Sequence, residues 1–254
     1  MTALLAGFRL QTTVLRRSPG DLQILATVPL YTLIFLAMTD HSDRPGLAAR
    51  AVLAPVLMAL WSMALFTAGD IIDRDRQQGT LEATVAAPAS LVLVLTGRIA
   101  AVTTISLAAF AEAWAVAYGW GVRISVHHPA VLAATVLATA FATAGSAALI
   151  AVLLVLSRGG RLYQNSLSYP FYLLSGILVP VSLLPDWVRP VSRLIFLSWS
   201  ADLLRSALAA EPAGHVPQRL LALVALGLAG SAAATVLLRR VLNRVRVLGT
   251  LGHV

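Results

Sequence analysis

The stretch DIIDRDRQQGTLEATVAAP, residues 70–88, is a polar island between two long apolar runs. Asp70, Asp73, Arg74, Asp75 and Arg76 are too many charges for hydrocarbon to hold at tolerable cost, so the island lies in water at a membrane face. Gly79 breaks the chain after them. Thr80 offers a hydroxyl to cap a new helix, and Glu82 falls in its first turn, where a carboxylate favours the helix dipole. A short amphipathic helix then leads to Pro88 and the next span. A structured, charged element between two spans reads as a docking site for a soluble partner; an ordinary solvated loop is the competing reading.

The composition places the island in an integral membrane protein. Hydrophobic residues make up 58% and charged residues only 12% of the 254 residues, where a soluble domain has roughly a quarter charged. Mean hydropathy is +0.82. A spanning helix needs about 20 residues, which leaves room for six or seven spans and no separate soluble domain. The net charge of +8 does not read as nucleic-acid binding, because the arginines are spread among apolar runs instead of forming one basic face; they read as determinants of topology. All 19 basic residues are arginine, which with abundant alanine points to a GC-rich bacterial genome. Cysteine is absent, which excludes disulfides, thiolate metal sites and cysteine nucleophiles.

Outward from the island, the chain divides into apolar segments. Residues 2–17 alternate Leu4, Leu5, Phe8 and Leu15 with Arg9, Thr12, Thr13 and Arg16, the pattern of a helix lying in the interface. Ser18-Pro19-Gly20 ends it, and Asp21 can cap a first span, 22–39. A polar turn at Asp40 to Gly46 leads to a second span, 48–69. The third run, 91–120, would reach about 45 Å as a straight helix, more than the roughly 30 Å of hydrocarbon, so it must tilt, break or project. The fourth, 129–156, carries Ala138, Ala142, Gly145 and Ser146, small residues that allow close helix packing in lipid. A short fifth span covers 163–179, and a last one 218–238.

Between those two, Pro180, Pro185 and Pro190 preclude a continuous helix, and Arg193, Asp202 and Arg205 make 191–210 a poor crossing. A broken, half-inserted hairpin over 180–210 fits better. With six spans and both termini cytoplasmic, the inner side holds Arg9, Arg16, Arg17, Arg74, Arg76, Arg98, Arg158, Arg161, Arg239, Arg240, Arg244 and Arg246. That is twelve of 19, in the positive-inside sense, and a seventh span would put the terminal cluster outside.

Asp75-Arg76-Gln77-Gln78-Gly79-Thr80-Leu81-Glu82, with Pro88 beyond, resembles the loop of type-2 ABC-transporter permeases, whose pattern is Glu-Arg-x-x-Gly-Thr-Leu-Glu, an apolar stretch and Ser/Thr-Pro. Asp75, Thr84 and Ala87 depart from the usual Glu, Leu and Ser/Thr. Ser175-Gly176-Ile177-Leu178-Val179-Pro180 and Leu184-Pro185-Asp186-Trp187 resemble that family's re-entrant outer helices, although Leu197-Ser198-Trp199 stands where Leu-Pro is frequent. The resemblance implies an all-α membrane protein, one transmembrane permease domain over 1–254, with six transmembrane helices, an N-terminal interfacial helix, a cytoplasmic coupling helix and a re-entrant extracellular hairpin. It implies that Asp75, Arg76, Gly79, Thr80, Leu81, Glu82 and Pro88 form the ATPase coupling element and that Gly176, Pro180, Pro185, Trp187 and Arg205 belong to an outer gate. The expected partners are two copies of an ABC ATPase subunit and a second permease protomer, identical or related, in the lipid of a bacterial inner membrane. The chain itself binds no cofactor; ATP and Mg belong to the ATPase.

Within the apolar runs Glu112 is the one acid at mid-span, so it faces protein or a water-filled path. A structural, hydrogen-bonded Glu is the plainer reading and a place on the substrate pathway the sharper one. Adjacent His127 and His128 do not converge as metal ligands do. Leu156-Ser157-Arg158-Gly159-Gly160-Arg161 superficially matches an ATPase signature loop, but the chain has no lysine and hence no phosphate-binding loop, so ATP hydrolysis belongs to another chain and this one is not an enzyme. Trp114, Trp120, Tyr163, Tyr169, Tyr172, Trp187 and Trp199 fall mostly near span ends, as an aromatic belt does. The expected function is a permease subunit exporting a hydrophobic small molecule such as an antibiotic or drug. Export of a lipid or lipid-linked glycan, and a proton-coupled carrier using Glu112, are the alternatives.

Overall fold

The computed structural model describes residues 3–40, 48–80, 90–156, 160–178, 181, 184–211 and 214–248. Within them the regular structure is all helical and no strand occurs. The helices are α1 (Ala3–Arg17), α2 (Gln23–Asp40), α3 (Ala48–Ser62), α4 (Ile71–Gln77), α5 (Leu91–Ser106), α6 (Ala108–Gly119), α7 (Pro129–Leu156), α8 (Gly160–Leu174), α9 (Arg189–Arg193), α10 (Phe196–Leu208) and α11 (Val216–Leu248).

Among the described residues, five helical segments are long and apolar enough to cross a membrane: Pro19–Thr39, Ala49–Gln77, Leu91–Gly119, Pro129–Leu156 and Val216–Val241. They cover five of the six expected spans. The expected fifth, 163–179, corresponds to α8, which has 15 residues and contains Pro170; at about 1.5 Å per residue it is shorter than the hydrocarbon core. The overlong third run is interrupted at one residue, Leu107, which separates α5 from α6, one of the three ways its length allows.

Ala49–Gln77 is the hub of the bundle: over its most apolar 18 residues 83% are buried, against 17% in the corresponding stretch of Val216–Val241. Its apolar character extends all round, the mark of a helix with protein on every side. Near its end the winding loosens into a π-turn over Met63–Ala68. Trp61, just before it, stacks on Phe171 of α8 with ring centroids 4.2 Å apart and planes 8° from parallel.

The apolar side chains form two clusters. One, with Leu15, Met63, Ile71, Leu95, Val152 and Leu238, fills the end of the bundle next to the island. The other, with Leu57, Trp61, Phe196, Leu197 and Leu204, fills the rest.

Two helix crossings depend on glycine. A Cβ on Gly7 would lie 2.2 Å from Val94 O, and one on Gly97 2.0 Å from Leu4 O, so α1 and α5 touch backbone to backbone. On α7, a Cβ at Gly145 would lie 2.4 Å from Gly227 O of α11. The small residues expected to let the fourth span pack closely therefore do so against the last. Such contacts suit lipid, where no hydrophobic effect drives helices together and close packing must.

The amphipathic N-terminal helix is present as Ala3–Arg17, and its buried face is Gly7, Gln11 and Leu15, one residue every four. That face lies on α5. α10 packs on α3, α7 and α11. Its Ser200 accepts a hydrogen bond from Thr139 at 2.9 Å, while Ala207 O accepts from His128 N at 3.0 Å. α10 thus runs from part-way along α7 back to the start of that helix.

Candidate functional site

The island begins as a helix and ends in a tight cap. α4 closes with Gly79 N–H donating to Arg76 O at 3.1 Å and Thr80 N–H to Asp75 O at 2.9 Å. Gly79 has φ of 68°. This is a Schellman cap, which needs a left-handed residue and is most cheaply built from glycine. The Thr80 hydroxyl also donates to Asp75 O, at 3.2 Å. Arg76, Gln77, Gln78, Gly79 and Thr80 are all exposed. Leu81, Glu82 and Pro88, with the helix expected between Thr80 and Pro88, lie outside the described residues.

The inner face of α4 is bound to three other parts of the bundle. Asp75, 9% exposed, pairs with Nη1 of Arg98 on α5, itself 8% exposed. Arg98 Nε donates to Gln11 Oε1 of α1 at 2.9 Å, and Gln11 is 2% exposed. The buried guanidinium therefore has a carboxylate on one side and an amide oxygen on the other, the pairing a desolvated charge requires. Asp75 consequently braces the island from within, whereas Arg76 points outward.

The second bond is Arg74 Nη1 to Asp21 Oδ2 at 2.6 Å, tying the island to the turn before α2. Asp21, expected to cap that span, directs this oxygen to Arg74.

The third bond follows from the π-turn. In an α-helix Gly69 N–H would donate to Leu65 O; here it donates to Ala64 O at 2.9 Å. Gln164 Nε2 of α8 donates to Leu65 O at 2.9 Å and to Asp70 Oδ1 at 2.5 Å. One buried glutamine thereby supplies the irregular turn and the first island carboxylate together.

Further along the same two helices, Ser62 and Tyr172 hydroxyls lie 2.6 Å apart. They line a cavity of about 390 Å³ between α2, α3 and α8, whose walls include Tyr31, Phe66, Asn165 and Tyr169. The lining mixes aromatic faces with a few hydroxyl and amide groups, the character of a small-molecule site. Two tyrosines assigned from sequence to an aromatic belt thus belong to this cavity.

Of the residues expected in an outer gate, Gly176 and Arg205 meet: Arg205 Nη2 donates to Gly176 O. Gly176 turns the chain with φ of 72° just beyond α8. Arg205 also lies 3.4 Å from Asp202, which holds Arg193 at 2.7 Å. The Arg193 guanidinium sits 4.7 Å from the Trp199 ring centroid, and Trp199 Nε1 donates to Arg193 O at 2.8 Å. Pro185 and Trp187 are exposed, and Pro180 lies outside the described residues. Glu112 stands apart on α6, half-buried, with Oε2 enclosed and without a hydrogen-bond partner among the described residues.

Sequence reasoning missed Gln11 and Gln164. Each is one neutral polar side chain among several on its helix; the signal for Gln11 was its place on the face shared by Gly7 and Leu15.

No curated protein matches the chain. A family model described as ABC-2 type transporter matches residues 14–209, most of the chain. The match spans the island, the π-turn and the Arg205 network, and the chain belongs to the ABC-2 type transporter family as a membrane-embedded transport subunit.

Proposed function

We propose that the chain is the permease subunit of an ATP-driven exporter, and that the island is where an ATP-binding subunit pushes. The observation supporting this is the threefold bracing of α4: Asp75 to Arg98, which in turn holds Gln11; Arg74 to Asp21; and Asp70 to Gln164. A free loop would absorb a displacement within its own backbone. A loop tied to α5 and through it to α1, to the start of α2 and to α8 passes it to all of them, and α2 and α8 are two walls of the 390 Å³ cavity.

In this reading the exposed tip from Arg76 to Thr80, continuing through Leu81, Glu82 and Pro88, meets the ATPase. The cavity takes a hydrophobic small molecule with a few polar groups, such as an antibiotic or drug. A second protomer completes the pathway, six spans place both termini in the cytoplasm of a bacterial cell, and α9 with α10 forms a re-entrant hairpin at the outer face. Two ATP-binding subunits supply ATP and Mg. Gly176 and Arg205 hold the hairpin against α8 and act as part of the outer gate.

The lack of native cysteine makes the test direct. A single cysteine is placed at Gln78, and a control at the exposed Asp186, in cells that also express the ATP-binding subunit encoded beside this chain. Cross-linking at Gln78 and not at Asp186 is the expected result. Labelling of Gln78 from the outer side only would reject the orientation, and proper insertion without any contact to the ATPase would reject the partnership.

A further inference from the structure

A second cavity, of about 330 Å³, lies between α5, α7 and α11. Its lining includes Thr96, Ile99, Ala144 and Thr235, and it opens past the exposed Thr96, Thr104 and Phe141. Four of the five hydroxyls that face it ask nothing of a ligand, Thr103 being the fifth. Thr96 donates to Val92 O at 2.8 Å, Thr104 to Ala100 O at 2.8 Å, Ser231 to Gly227 O at 2.9 Å and Thr235 to Ser231 O at 2.8 Å. With those donors spent inside their own helices, the walls offer mainly methyl and methylene surface. A dry apolar cavity of about 150 Å³ accommodates benzene, so this one has room for a good part of a hydrocarbon chain.

Its length and position identify the occupant. Thr96 to Thr104 on α5 and Ala140 to Ala148 on α7 each cover eight residue steps, about 12 Å at 1.5 Å per step, close to the roughly 15 Å of one leaflet. The Thr96 end is the island end, since the neighbouring Leu95 and Ile99 share a cluster with Ile71 and Leu238. On α11, Ser231 and Thr235 line the cavity and Arg239 follows one turn later on the same face. Arg239 is exposed and in no ion pair among the described residues. Neither α5 nor α7 carries an acidic residue to neutralise it.

We propose that this trench holds one acyl chain of an anionic phospholipid from the island-side leaflet, with the lipid phosphate on Arg239. The proposal rests on the membrane-embedded family reading and is independent of what the transporter exports. An apolar trench one leaflet deep, ending at a cation in no ion pair among the described residues, matches the two parts of such a lipid.

The test uses the full chain in phosphatidylcholine vesicles containing a minority of phosphatidylglycerol. Either lipid carries a photoreactive group on its acyl chain, and labelled peptides are mapped. Phosphatidylglycerol is expected to label the trench walls, residues 96–104 and 140–148, and to do so about fivefold more than phosphatidylcholine, the effect of one basic side chain at an anionic lipid. Arg239→Gln, an exposed change that leaves the trench walls intact, should bring the two lipids to equality. Equal labelling in the native chain, label spread evenly over all lipid-facing helices, cross-links through the trench to a second copy, or displacement of the lipid by inorganic phosphate would each overturn the proposal. Absence of label from every helix would instead reject membrane embedding itself.

Discussion

Arg98, in the second turn of α5, is held between the Asp75 carboxylate of α4 and the Gln11 amide of α1 with almost no access to solvent. The first acid of the island motif is therefore an internal strut. A charge removed from water is tolerated only with its partner present, so the network should be sensitive to losing one member and tolerant of losing both.

Arg98→Met alone, which strands Asp75, should destabilise the protein by about 3–5 kcal/mol. The double change Asp75→Leu with Arg98→Met should recover most of that. Equilibrium unfolding of the purified protein in detergent reads both values. A single variant as stable as the double would show that the pair is solvated.

Gly97→Leu forces a side chain into Leu4 O, where even a Cβ would sit 2.0 Å away. α1 should detach from α5, and limited proteolysis should cleave the first 17 residues faster. Gly20→Ala, whose Cβ would meet nothing within 4 Å, should leave the pattern unchanged.

Gln164→Leu leaves Leu65 O and Asp70 Oδ1 without the amide donor, at a cost of about 1–3 kcal/mol. Hydrogen exchange should rise first in the π-turn and in α4. Uniform acceleration over the whole chain would show that the glutamine acts only through global stability.

Tyr172→Phe and Ser62→Ala each break the 2.6 Å contact inside the 390 Å³ cavity. A double-mutant cycle should give a coupling of about 0.6 kcal/mol, the usual size for a hydrogen bond between membrane helices. Thr27→Trp, an exposed position on the cavity wall, should reduce transport without changing the unfolding midpoint. Full transport with the ring in place would remove the cavity from the pathway.

The apolar runs gave the fold class directly, because a helix in hydrocarbon must satisfy its backbone internally and be apolar over about 20 residues. Five of the expected spans are present as long helices. The short α8 was less legible: its apolar pattern continues past Leu174, but the helix stops where Ser175 and Gly176 turn the chain. The π-turn left no trace in composition. Met63–Ala68 reads as ordinary span, and its loosened winding shows only in which carbonyl Gly69 N–H reaches.

The charged start of the island, Asp70 to Arg76, stands out from charge alone, since five ionised side chains so close together are costly to place in hydrocarbon. Gly79 as a helix end was legible for the same local reason, a left-handed residue that only glycine adopts cheaply. Which charges face outward was not. Asp75 and Arg76 are neighbours in sequence and differ by about 100° around α4, so one enters the bundle and the other leaves it. That choice rests on Arg98 and Gln11, 23 and 64 positions away along the chain, and long-range partners of a buried charge are settled only when the helices that carry them pack.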